Sequence, residues 1–72
     1  MILETRTLSI IILPKGEPIF SERGTKISID DEAGGEFLVI SQNDMSVPLK
    51  IDPAEWDAIK AAVDKMIKEC KL

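Results

Sequence analysis

Asp52-Pro53-Ala54-Glu55-Trp56, running on to Cys70, is the stretch from which the fold is read. Asp52 is a good N-cap, because its carboxylate can accept a hydrogen bond from an orphan N–H of the first helical turn. Pro53 falls at the first helical position, where its missing N–H costs nothing. Glu55 stands three residues after Asp52, the spacing of a capping box, and Ile51 and Trp56 occupy the two positions that a hydrophobic staple joins. Beyond the cap, Trp56, Ile59, Val63, Met66, Ile67 and Cys70 recur at helical spacing and form one apolar stripe. Lys60–Asp64, Asp64–Lys68 and Lys65–Glu69 are i,i+4 pairs of opposite sign, each worth about 0.2–0.5 kcal/mol. An amphipathic helix of this kind needs a surface to lie on, and the rest of the chain must supply it.

Outward from the helix the pattern changes to strand. Met45, Val47, Leu49 and Ile51 alternate with Ser46, Pro48 and Lys50, and Pro48 favours an edge position because it cannot donate to a ladder. Gln42-Asn43-Asp44 is a turn. Glu36 to Gln42 reads as a strand whose successive apolar residues, Phe37 to Ile40, predict burial on both faces. Lys26 to Asp30 alternates cleanly, and Asp31-Glu32-Ala33-Gly34-Gly35 reads as a hairpin loop, since paired glycines reach positive φ. Residues 5–13 form a β-branched strand with Leu8, Ile10 and Ile12 on one face, and Ile11 and Leu13 suggest cover on the other. Pro14-Lys15-Gly16-Glu17-Pro18 is a turn, and residues 19–23 are expected to be a short strand. The expectation is one α+β domain over residues 1–72: an antiparallel β-meander of four to five strands followed by one C-terminal helix. One helix cannot cover that much two-sided apolar sheet, so a homodimer is expected.

Composition narrows the function. With one Cys and no His among 72 residues, there is no disulfide framework, no zinc pattern and no Ser-His or Cys-His nucleophilic pair. Neither a Gly-x-x-x-x-Gly-Lys-Ser/Thr loop nor a Gly-x-Gly-x-x-Gly turn is present. Asp30, Asp31, Glu32 and Glu36 match no calcium loop and read as a solvated acidic turn. The reading is therefore not an enzyme, with no metal and no cofactor. Met1-Ile2-Leu3-Glu4 lacks a basic region and a long apolar core, so no signal peptide is expected. The longest apolar run is too short to span a membrane. The expected location is intracellular, cytoplasmic or nucleoid-associated.

Binding is what remains. The net charge of −4 argues against a strongly basic nucleic-acid-binding domain, but its distribution is uneven. Arg6, Lys15, Arg23 and Lys26 lie in the first part of the chain and could neutralise phosphates if the sheet gathers them. Phe20 and Phe37 are the candidates for base stacking. Core packing is the competing role for both, more so for Phe37 within its apolar run, and the staple role accounts for Trp56.

Leu49-Lys50-Ile51-Asp52-Pro53-Ala54-Glu55-Trp56-Asp57-Ala58-Ile59-Lys60 resembles the strand-to-helix segment of the positive cofactor four family of transcriptional coactivators. Lys26 to Ile40, two β-branched strands around a glycine-containing turn, is similar to that family's first hairpin. The resemblance covers about residues 20–69 in the same element order. It implies a homodimeric meander-plus-helix fold that binds single-stranded DNA, or melted duplex, along its sheet, with roles in transcription, replication and repair and with no cofactor. Arg23 and Lys26 fall where the family places basic residues before and within that hairpin. Ser41-Gln42-Asn43-Asp44 stands where the family is basic and aromatic, and Thr5–Pro18, with Arg6 and Lys15, has no family counterpart.

The leading expectation is a homodimeric single-stranded DNA-binding protein, in which Arg6, Lys15, Arg23 and Lys26 contact phosphates and Phe20 stacks. Its affinity should fall steeply with salt and suffer more from Arg23→Ala than from Lys68→Ala. The alternative is a small accessory module that binds or inhibits a larger protein through a sheet edge or the acidic turn.

Overall fold

The computed structural model describes residues 1–43 and 45–71. Four strands, β1 (Ser9–Ile12), β2 (Thr25–Glu32), β3 (Gly35–Gln42) and β4 (Leu49–Ile51), form one antiparallel sheet in the order β1-β2-β3-β4. A single 3-10 turn, Pro53–Glu55, leads straight into α1 (Trp56–Glu69). This is the expected α+β meander with a C-terminal helix, and it has four strands.

The helix starts where the cap places it. The Ala54 N–H donates to Asp52 Oδ1 at 2.9 Å, and the Asp52 N–H donates to Glu55 Oε2 at 3.3 Å, so the capping box closes in both directions. Ile51 and Trp56 line one cavity with Leu38 and Pro53. Of the three expected helix pairs, Lys60–Asp64 is formed at 3.1 Å.

Several strands are shorter than the alternation suggests. Residues 19–23 are turn rather than strand. Their polar groups are spent locally: the Ser21 N–H donates to the Pro18 carbonyl at 3.0 Å, and Ser21 in turn accepts from the N–H groups of Arg23 and Gly24. A backbone satisfied within itself has nothing left for a ladder. β1 covers 9–12 rather than 5–13, although the Ile29 N–H still reaches the Leu8 carbonyl at 2.9 Å. β4 begins only after Pro48, whose ring nitrogen cannot donate. The hairpin loop contracts to Ala33-Gly34, with Asp31, Glu32 and Gly35 drawn into the strands; Gly35 takes φ +115°, a value open to glycine alone. Asp44, assigned to the turn after β3, lies outside the described residues.

Register sorts the side chains onto two faces, because residues directly opposite in an antiparallel pair share a face. The rows Ile10/Ile27/Ile40/Leu49 and Ile29/Leu38/Ile51 make one face apolar. The rows Ser9/Ser28/Val39/Lys50 and Ile11/Lys26/Ser41 make the other face mostly polar. The rows Asp30/Phe37, Asp31/Glu36 and Glu32/Gly35 extend past the pairing of β1 and β4, so the end of the β2–β3 hairpin projects as a two-stranded arm.

The expected burial of Phe37–Ile40 and Ile10–Leu13 on both sides is not met within one chain. Among the described residues Ile51, at 7% exposure, is the only buried apolar side chain. Phe37 to Ile40 are half-buried, and Ile10, Ile11 and Ile12 are exposed. The cause is the β4–α1 junction. Between Ile51, the last residue of β4, and Trp56, the first of α1, stand only Asp52 and the 3-10 turn Pro53–Glu55, which runs straight on into the helix. The helix therefore leaves the sheet without folding back, and no residue of α1 is buried.

Candidate nucleic-acid interface

The polar sheet face is where a ligand could lie. At one end the segment 13–24, between β1 and β2, folds against it and forms a groove lined by Ile11, Ile19, Ser21, Gly24, Lys26 and Asn43, with Ser41 at its floor. The segment is held by the Asn43 side-chain amide, which donates to the carbonyls of Phe20 and Ser21. Gly24 permits the close approach: a Cβ there would stand 2.9 Å from Leu13 Cδ2 and 3.3 Å from the Ser21 carbonyl oxygen.

Lys26 projects from β2 on this face, and among the described residues no carboxylate pairs with it. Further along the same face, Lys50 Nζ sits 5.7 Å from the centre of the Phe37 ring and 3.4 Å from Glu32 Oε1. Phe20 is 78% exposed on the segment beside the groove. The face thus offers two ammonium groups, the serine hydroxyls of Ser9, Ser28 and Ser41, and the Phe37 ring towards the arm.

The sequence-derived cations are not all gathered here. Arg6 forms a bidentate pair with Glu36, both contacts at 2.9 Å, at the far end of the apolar face. That pairing holds the Glu36 carboxyl below its ordinary range and raises the Arg6 guanidinium, through hydrogen bonding first and charge second. Arg23 is paired with Glu17 on its own loop. Lys15 is exposed in the Pro14–Glu17 turn, whose Glu17 N–H donates to the Pro14 carbonyl at 3.1 Å. The fold therefore puts Lys26 in the groove and Phe20 on the segment that walls it, leaves Lys15 on the neighbouring turn, and commits Arg6 and Arg23 to carboxylates.

Lys50 is the addition, and Phe37, a stacking candidate for which core packing was the competing role, stands half-buried on the polar face. The alternation of residues 45–51 already put Lys50 on the face opposite Leu49 and Ile51. Phe37 was masked by its apolar neighbours, because a strand with Phe-Leu-Val-Ile in succession does not show which two residues face solvent.

The arrangement offers charge, hydroxyl groups and ring faces. Among the described residues no helix is long and apolar enough to cross a membrane. Comparison with protein-family models, with curated proteins and with solved structures finds no match to this chain.

Proposed function

We propose that the chain is a single-stranded nucleic-acid-binding protein that acts as a homodimer in transcription or replication, in the cytoplasm or on the nucleoid. The observation that carries this reading is the division of the sheet. One face is apolar and suited to a partner layer, which leaves the other, with Lys26, Lys50, Ser9, Ser28 and Phe37, open to a ligand. Phosphates would meet the two lysines and bases would stack on Phe20 and Phe37, a mode that follows backbone and ring faces rather than sequence. Lys15 stands on the neighbouring turn. Lys50, Arg6 and Arg23 would contribute only by giving up Glu32, Glu36 and Glu17. The likeness of residues 20–69 to the positive cofactor four coactivators supports the same reading.

Fluorescence anisotropy with a labelled oligonucleotide tests it. Binding at low salt should weaken steeply as salt is added, and Lys26→Ala should lower the slope of log K against log salt by about 0.7, the loss of one single-strand phosphate contact. Arg6→Ala should leave that slope unchanged. No binding at low salt ends the proposal. That result would favour an accessory protein-interaction module, for which the acidic arm and the short free edges of β1 and β4 are the specific support.

A further inference from the structure

Apart from Met1, Ile2 and Leu3, the large apolar side chains most exposed among the described residues are Ile19, Phe20 and Val47, at 79%, 78% and 75%. All three stand at one end of the sheet, because an antiparallel meander puts its β1–β2 and β3–β4 connections on the same side. Ile19 and Phe20 are the two central residues of a β-turn that the Ser21 N–H closes on the Pro18 carbonyl at 3.0 Å. Glycine, proline and short polar residues dominate such positions, so the turn itself does not ask for an isoleucine and a phenylalanine. It is braced from behind. The Asn43 side-chain amide donates to the Phe20 and Ser21 carbonyls, Ser21 is buried, and Gly24 leaves no room for a methyl group. A fixed backbone thus holds out two bare apolar side chains, with little freedom left to lose on contact.

The turn stands at the mouth of the polar face. Ile19 lines the Lys26 groove, and the acidic arm is at the opposite end of β2. The flat apolar surface that a nucleic acid can offer to such a pair is the outer face of a terminal base pair, and Phe and Ile are among the side chains that proteins press against base steps. Given the nucleic-acid reading of the polar face, on which this rests, we propose that the ligand is a duplex with a short single-stranded overhang. Its last base pair stacks on Ile19 and Phe20, and its overhang lies along the polar face past Lys26. Charge sets the direction. A duplex carries about one negative charge per 1.7 Å, so it belongs on the side away from Asp30 and Glu32. Residues 13–28 hold three cations, Lys15, Arg23 and Lys26, against two carboxylates, Glu17 and Glu22. Geometry sets the length. From Lys26 to Asp30 the strand rises about 13 Å, the span of about four stacked nucleotides at about 3.4 Å each. Nucleotides beyond those meet the carboxylates of the arm and add no affinity.

Fluorescence anisotropy of the full chain with labelled DNA probes tests it: a plain single strand, a blunt duplex, and the same duplex with overhangs of increasing length. The overhang probe should bind on the order of ten-fold more tightly than the plain strand, the effect of one stacked ring, and its affinity should stop rising at about four nucleotides of overhang. Ile19 has no part in holding a plain strand. Ile19→Ser should therefore lose most of the gain from the duplex, with the plain strand bound as before, the salt slope unchanged and circular dichroism intact. An overhang probe that binds no better than the plain strand or the blunt duplex overturns the inference and leaves the single-strand reading standing. So does a gain that survives Ile19→Ser, or an affinity that keeps climbing at twice the expected overhang. If no probe binds at low salt, the nucleic-acid reading falls and this inference falls with it.

Discussion

Glu36 shows how a single side chain can be tied to a distant part of the sequence. It grips Arg6, thirty positions away, with two contacts of 2.9 Å, and its carboxyl is held below the ordinary value of 4.5. A carboxyl whose titration is lowered by folding adds stability above its ordinary value and loses it as pH falls through the lowered one. Wild type should therefore exceed Glu36→Gln in urea midpoint at pH 7. The gap should shrink once pH drops below 4.5 and close when Glu36 is protonated. Both side chains are solvent-exposed, so the gap should be small and reduced by salt. No pattern in the sequence joins Arg6 to Glu36, because the pair depends on the path of residues 6–8 past β2 and β3. The opposite holds for Asp52: its cap, its proline and its reciprocal Glu55 are all local, and all were legible from five consecutive letters.

At the scale of elements, local chemistry was readable and exchange of partners was not. The β2–β3 hairpin and α1 stand where periodicity puts them, within a few residues at their ends. Residues 19–23 do not, because Ser21 captures the hydrogen bonds that an alternating pattern takes to be available for a neighbour. The alternation of residues 45–51 is sound as a face assignment, yet Pro48 shortens the paired part to three residues. The segment 13–24 rests on Gly24, where a methyl group would press on Leu13 and the Ser21 carbonyl. Gly24→Ala should cost about 1 kcal/mol or more, the order of a modest overpacking. Denaturant midpoints of the two proteins at equal slope would measure it. The same variant should weaken oligonucleotide binding if the proposed reading holds, since the segment walls the groove that Lys26 lines.

At the scale of the whole molecule, the two-sided apolar strands already announced a missing layer, and the structure makes the shortage specific. What no pattern could reveal is the direction in which α1 leaves the sheet from the Asp52–Glu55 connection. Trp56, the only tryptophan, stands at that junction with 41% of its surface exposed. If a second copy completes the molecule, its emission should shift to the red on dilution, and the melting temperature should fall as concentration falls. A concentration-independent spectrum and melt would argue for a self-sufficient subunit. The projecting end of the β2–β3 hairpin adds a direction to the polar face. From Lys26 the strand climbs about 13 Å to Asp30, and Asp31, Glu32 and Glu36 crowd the tip beyond it. Of these, Asp30 and Glu32 stand on the polar face, Glu32 within reach of Lys50, whereas Asp31 and Glu36 stand on the apolar face, where Arg6 holds Glu36. If the proposed binding holds, the carboxylates of Asp30 and Glu32 would repel a polyanion at the arm, and a strand lodged on the polar face would stop short of the tip.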